Sequence, residues 1–244
     1  MTDRTTPFGD PIGFDVPGWT ARPRPPRTAM VGRYGHVEPV DLARHADELY
    51  AANRVDPGRR NWTYLASDGF DDFQGYREWL AAMTSGDDPL LHAIVDATTG
   101  TAVGVAAFMR IEPAMGVIEV GNLNFSPLLQ RTRLATEAMF LMMRRAFDEL
   151  GYRRYEWKCD SLNVPSRRAA ERLGFSFEGI FRQAVVYKGR NRDTAWFSIL
   201  DREWPKLRGA YEQWLSPANF DDSGRQRRRL ADLIEHARVD HSGG

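Results

Sequence analysis

The chain has 244 residues, 42% of them hydrophobic and 27% charged, which is enough apolar material for a full globular core. Basic and acidic residues balance at 33 each, so wholesale electrostatic binding to nucleic acid is not expected. The single cysteine, Cys159, excludes an internal disulfide and any cysteine-built zinc cluster, and it suits a reducing cytoplasm.

The opening MTDRTTPFGDP lacks the apolar segment of a signal peptide, and no apolar run approaches the ~20 residues that span a bilayer. A cytoplasmic protein without membrane contact is expected. Residues 1–29 carry Pro7, Pro11, Pro17, Pro23, Pro25 and Pro26, a spacing that forbids helix and predicts an extended arm. Phe14 and Trp19 offer that arm a means of attachment.

From Met30 the pattern changes. MVGRYGHVEPV reads as one strand ending at Pro39, and Asp41 then caps an amphipathic helix through DLARHADELYAAN. A second helix is predicted over DDFQGYREWLAAM. LLHAIVDA, a TTGT turn and AVGVAAFMRI read as an antiparallel hairpin. In the next strand, GVIEVGNLNF, Ile118 and Val120 share one parity whereas Leu123 and Phe125 have the other. One buried face can hold all four only if an extra residue is inserted, so a β-bulge is predicted at Gly121–Asn122. The alternative is that Phe125 already begins a loop.

LATEAMFLMMRRAFDELG is a long helix with an apolar stripe from Ala135 to Leu150, closed by Gly151. YRRYEWKCD is a strand, and Asn163-Val-Pro-Ser opens a short helix. FSFEGIFRQAVVYKG and TAWFSIL form a closing hairpin. Residues 204–244 read as a helical, basic extension, with helices over EWPKLRGAYEQWL and GRQRRRLADLIEHARV. The whole is a mixed α/β fold with a mostly antiparallel sheet.

Chemistry concentrates at LQRTRLATE, Leu129 to Glu137, between the bulged strand and the longest helix. The first backbone N–H groups of a helix lack intrahelical acceptors, and its dipole adds positive character. Arg131 and Arg133 add charge, and Thr132 and Thr136 add hydroxyls, so the segment suits a pyrophosphate. No H-E-x-x-H, G-x-S-x-G, Walker A or G-x-G-x-x-G pattern occurs, and the five histidines show no metal spacing. No metal is expected.

The order of elements, the bulged strand, the Q-R-T-R-L-A turn and the later N-x-x-S…E-R-L-G-F (Asn163, Ser166, Glu171 to Phe175) resemble the GCN5-related N-acetyltransferases. The closing E-G-x-x-R-Q-A…G-x-x-x-D (Glu178, Gly179, Arg182 to Ala184, Gly189, Asp193) is similar to the branch that acetylates N-termini of ribosomal proteins. The resemblance covers residues 30–203. It implies an acyl-CoA N-acyltransferase fold with acetyl-coenzyme A in the splay of the sheet. Direct transfer of acetyl to a primary amine, a peptide N-terminus or a small molecule, would follow.

On this resemblance Gln130, Arg131, Thr132, Arg133, Ala135 and Thr136 would hold the pyrophosphate. Leu123 and Phe125 would pair with the pantetheine arm, and Asn163 and Ser166 would lie beside it. Arg133 stands where the family's turn has its central glycine. It could turn outward, contact phosphate itself or close the site. Ser166 is the candidate acid for the leaving thiolate. The family's frequent tyrosine on that helix is Ala170 here, and the glutamate that some relatives carry after Q-A is Val185.

Glu119 is then the candidate base, with Asp160 and Cys159 as second choices. A missing strong base favours an α-amine, because at pH 7 about 10–15% of such groups are neutral against about 0.04% for lysine. Trp62, Trp79, Trp157 and Tyr64 either line an acceptor pocket or pack the core. A homodimer is compatible with the arm and the tail. Rival readings are an acyl-CoA-binding module without turnover and an interaction protein on the same fold.

Overall fold

The computed structural model describes residues 4–239. A small ribbon, β1 (Arg4–Thr5) with β2 (Pro11–Ile12), precedes an eight-stranded sheet. Its strands are β3 (Met30–Val31), β4 (Gly35–Pro39), β5 (Leu90–Asp96), β6 (Ala102–Glu112), β7 (Val117–Phe125), β8 (Arg154–Asp160), β9 (Ser176–Tyr187) and β10 (Arg190–Leu200). The spatial order is β3-β4-β5-β6-β7-β8-β10-β9. Every neighbouring pair is antiparallel except β7 with β8.

Two layers of helix cover this sheet. On one face lie α1 (Leu42–Arg54) and α2 (Phe73–Thr84), capped by the carboxylates of Asp41 and Asp72. They bury Leu49, Tyr76 and Leu80 against Leu91, Ala93, Val95 and Val105. On the other face α3 (Arg133–Arg144) sets Ala138, Met139, Met142 and Met143 against Ile118, Val120, Tyr155 and Phe197. Those methionines are core packing.

The parity argument for β7 holds. Ala107 pairs with Gly121 and Val105 with Asn124, so two residues of β7 oppose the single Ala106. Asn122 takes the left-handed backbone this needs, with φ +50°. Ile118 and Val120 before the bulge, and Leu123 and Phe125 after it, all pack against the α3 core. Asn124 is thereby turned to the α1/α2 face, alongside Val105.

The predicted first strand is broken in two. Residues 32–34 form a tight turn between β3 and β4 because Glu137 of α3 reaches into it. Its carboxylate accepts N–H bonds from Arg33, Tyr34 and Gly35 at 2.7, 2.7 and 3.1 Å. A Cβ on Gly32 would lie 2.4 Å from Glu137 Cδ, so only glycine fits there. A local pattern cannot announce a carboxylate more than a hundred residues away.

The C-terminal region differs as well. α5 (Trp204–Leu215) forms as read, but α6 spans Leu230–Val239 and leaves RQRRR outside any helix. There Asn219 takes the Arg227 N–H on its backbone carbonyl and the Arg228 N–H on its side-chain oxygen, which breaks helical phasing. Trp204, Leu207, Tyr211, Leu230, Leu233 and Ile234 join the core beneath α3. Trp19 anchors the N-terminal arm through its indole N–H to Ala114 O at 2.8 Å, whereas Phe14 stays exposed.

Removing the carboxylate in Glu137→Ala orphans three backbone donors at once. Each such loss costs about 1–3 kcal/mol, and for a chain of this size each kcal/mol moves the midpoint about 2–4 °C. Thermal unfolding should therefore show a fall of roughly 6 °C or more.

Candidate active site

β7 and β8 pair in parallel from Val117–Arg154 to Val120–Trp157, and there the pairing stops. Beyond it β7 stays with β6 through the bulge while β8 follows β10, so a wedge opens between Gly121–Phe125 and Lys158–Asp160. Gly121 marks its apex. A Cβ there would sit 2.4 Å from Met109 Sδ.

At the far end of β7 the chain turns into α3. Ser126 O accepts the N–H groups of Leu129 and Gln130, and the Gln130 side-chain N–H donates to Phe125 O at 2.8 Å. Arg131, exposed, takes φ +61°. Thr132 is the helix cap: its hydroxyl donates to Leu129 O and accepts the Ala135 N–H at 3.1 Å. The first-turn amides of Arg133 and Leu134 then stand at the positive end of the helix dipole.

Arg133 turns aside from that turn. Its guanidinium carbon stacks 5.0 Å from the Tyr34 ring and 4.7 Å from the Phe220 ring. The turn's amides are left uncovered by its side chain. Thr136 is buried, and its hydroxyl accepts from Arg172 at 3.2 Å, so it faces α4 (Val164–Arg172).

The opposite wall is the end of β8 and the start of α4. Asn163 caps α4, its side-chain oxygen accepting the Ser166 N–H at 3.1 Å. Trp157 donates its indole N–H to Ser166 Oγ at 3.0 Å. Cys159 is buried beside the same hydroxyl, and its thiol pKa is pushed up by burial, with Ser166 partly offsetting this. Such a thiol is a poor nucleophile. Ala170 is fully buried.

Glu119 and Ser166 are not brought together, because they lie on opposite faces of the sheet. Glu119 is 2% exposed, and Arg110 Nη1 meets its two oxygens at 2.8 and 2.7 Å. Lys158 Nζ lies 2.9 Å from the same carboxylate and 2.6 Å from Glu156, and sits 3.8 Å over the Trp196 ring. This carboxylate is committed to cations. Asp160 occupies the mouth of the wedge instead, accepting the Leu162 N–H and the Tyr187 hydroxyl, each at 2.9 Å. Burial first, and then Asp160, raises the Tyr187 pKa, so the phenol keeps its proton at neutral pH.

Over that mouth the β9–β10 tip meets the α1–α2 loop. Lys188 donates to Trp62 O and pairs with Asp68, and Arg190 donates to Thr63 O. Tyr64 bonds Leu162 O at 3.2 Å, while Trp62 and Trp79 pack edge-on at 5.1 Å beneath the loop. Tyr187, Lys158, Asn61 and Asn124 escaped the sequence reading. Their partners lie in other elements, with Asn61 of the α1–α2 loop donating to Asn124 Oδ1 at 2.8 Å, and leave no local signal, although Asn124 follows from the bulge itself. Among the described residues no group of three or more His, Cys, Asp or Glu side chains could hold a metal, and no helix could cross a membrane.

Residues 37–176 match the acetyltransferase (GNAT) domain family, and the chain belongs to that family. A GCN5-related N-acetyltransferase from Brucella melitensis is 50% identical with a TM-score of 0.89, over 90% of this chain and 100% of that one. The uncharacterized N-acetyltransferase YnaD of Bacillus subtilis (strain 168) is 29% identical over 33% of this chain. The match spans about half of that curated relative, 47% of its length. At 18% identity the fold alone is shared with a ribosomal L7/L12 α-N-protein acetyltransferase in complex with coenzyme A, with a TM-score of 0.56 over 71% of this chain and 98% of that one.

Lys158→Met would leave Glu119 and Glu156 buried and face to face without their shared cation. Removing one partner of a buried ion pair costs about 3–5 kcal/mol. Denaturant titration should register a loss of that order, with Lys158→Arg recovering part of it.

Proposed function

We propose that the protein transfers acetyl from acetyl-coenzyme A to a primary amine in one direct step. The observation that carries this reading is the wedge between β7 and β8, closed at one end by an uncovered helix N-terminal turn. Residues 30–203 would form the catalytic unit, working in the cytoplasm, with 204–239 packed against its α3 side.

In this account the pyrophosphate meets the turn at Gln130, Arg131, Thr132 and the first amides of α3, where the dipole favours an anion. Thr132 and Ala135 shape the cap, Arg133 stays with Tyr34 and Phe220, and Thr136 holds α4. Backbone at Leu123 and Phe125 borders the pantetheine arm, with Asn163 and Ser166 opposite. The acceptor approaches from the Asp160 side.

The amine nitrogen attacks the thioester carbonyl and forms the new C–N bond. Collapse of the tetrahedral species breaks the C–S bond and releases a thiolate. Backbone N–H groups beside the bulge polarise the carbonyl oxygen. Ser166 accepts the Trp157 N–H, and its own O–H, which faces the Cys159 thiol, can turn to donate to the leaving sulfur. The ammonium proton leaves toward Asp160, whose orientation Tyr187 and the Leu162 N–H fix. Glu119, the sequence-based candidate for that task, serves here by holding Lys158.

The full chain, given acetyl-coenzyme A and α-amino amides, should release free thiol in step with acetylated product. Ser166→Ala should lower kcat about a hundredfold with little change in the KM for acetyl-coenzyme A, because Asn163 still caps α4 through the backbone. Thiol release that does not depend on amine would contradict transfer and indicate thioester hydrolysis, whereas no release with any amine despite donor binding would favour a binding module.

A further inference from the structure

Unpartnered polar atoms gather on one face of β10. The Arg192 Nε, the Thr194 hydroxyl and the Trp196 indole nitrogen are all covered and make no hydrogen bond. Such a group costs about 1–3 kcal/mol when buried and unmet, so three at alternate positions of one strand mark a special surface. β10 keeps an unbroken register with β8 from Thr194 to Leu200, and the irregularity beside Arg192 falls on β9. The three side chains therefore share a face.

That face is the acceptor side of the wedge. Lys158 Nζ sits over the Trp196 ring, and Thr194 is paired with Asp160 across the ladder. The Arg192 guanidinium carbon stands 5.9 Å from the Tyr187 ring, whose phenol donates to Asp160. Thr194 is closed off beneath, and Arg192 is the open end of the row. Its Nε is covered while the residue stays partly exposed, so its Nη groups are the part that meets solvent.

Arg192 differs from the other cations of this mouth. Lys188 pairs with Asp68 and donates to Trp62 O, and Arg190 donates to Thr63 O. Arg192 has no hydrogen bond and no ion pair among the described residues. A guanidinium keeps its charge at every working pH, and a half-buried one without an anion is poorly solvated until a ligand supplies one.

We infer that Arg192 binds an anionic group, a carboxylate or a phosphate, that the acceptor carries close to its primary amine. The forked N–H groups of arginine meet either anion in two parallel bonds. Asp160, one same-face step along the ladder, then receives the amine end. Arg190, 5.3 Å from the same tyrosine ring, adds to the positive field that draws the anion in. This rests on the acetyl-transfer reading and narrows it, from any primary amine to one with a negative charge beside it.

Three pairs of amines test the inference, each differing in charge at one end: alanine with alaninamide, aspartic acid α-amide with asparagine amide, and O-phosphoserine amide with serine amide. kcat/KM is measured with the full chain at saturating acetyl-coenzyme A, for the wild type and for Arg192→Met. Dividing the wild-type anionic-to-neutral ratio by that of the variant cancels differences in amine pKa. The quotient should reach about tenfold or more for at least one pair. The pair that shows it tells an α-carboxylate from a side-chain carboxylate or a phosphate. Arg192→Lys should keep part of the preference. Arg192→Gln should lose it as Arg192→Met does, which guards against failure of the first variant to fold. Because the free protein gives this guanidinium no partner, both should unfold within about 2 °C of the wild type. A quotient near one for all three pairs would overturn the inference while leaving acetyl transfer intact.

Should no amine be acetylated, the transfer reading falls. Calorimetric titration of the coenzyme A-loaded protein with the same pairs then decides the inference separately. Tighter binding of an anionic member, lost in Arg192→Met, supports it. Equal or absent binding overturns it.

Discussion

β7 and β8 run side by side in parallel for four residues and then part, and the proposed site lies along that parting. The seam just before it is chemically awkward. Glu119 and Glu156 stand directly opposite each other on adjacent strands, both buried, where like charges repel. Lys158 reaches both carboxylates, with Arg110 and Arg154 closing the outer sides. Buried charges of this kind rarely add net stability over an apolar seam. What they add here is position: the strands are held together up to Val120 and Trp157, while the bulge carries β7 away beyond them.

The bulge has a second consequence. One inserted residue returns Leu123 and Phe125 to the α3 core and turns Asn124 to the other face. The two faces of the wedge thus become chemically different. The α3 side offers an apolar wall, a helix N-terminal turn and Ser166. The α1/α2 side offers Asn61, Asn124, Asp160 and Tyr187. A donor and an acceptor substrate that meet in the wedge from opposite faces would each find suitable groups.

Arg133 shows how a departure from a family pattern can be absorbed. A glycine in the turn keeps backbone and phosphate close; an arginine there must send its side chain somewhere. Tyr34, from the turn that Glu137 holds, and Phe220, from the segment after α5, supply a cation–π slot for it. The same side chain lies 3.7 Å from the Cβ position of Gly224, so the turn just before the non-helical basic segment lies beside it. The C-terminal region and the turn are therefore joined by one guanidinium.

Much of this was legible in the residues. The capping Asp41 and apolar spacing placed α1, the residue pattern placed α2 and α3, and the parity switch in GVIEVGNLNF placed the bulge without any structure. The wedge and the turn followed from element order and family resemblance. What could not be read were contacts made across the fold. Glu137 breaking the first strand, Asn219 delaying the start of the basic helix and Lys158 capturing Glu119 each depend on partners distant in sequence. Glu119 has the right alternation for a base, yet alternation says nothing of two cations waiting opposite. The bond between Asn61 and Asn124 was hidden for the same reason.

Amide hydrogen exchange of the full chain with and without acetyl-coenzyme A addresses the central claim most directly. Occupation of the wedge predicts slowed exchange at Gly121–Phe125 and Arg131–Ala135, with the β9–β10 tip less affected. Unchanged exchange in both segments at millimolar acetyl-coenzyme A would contradict the account.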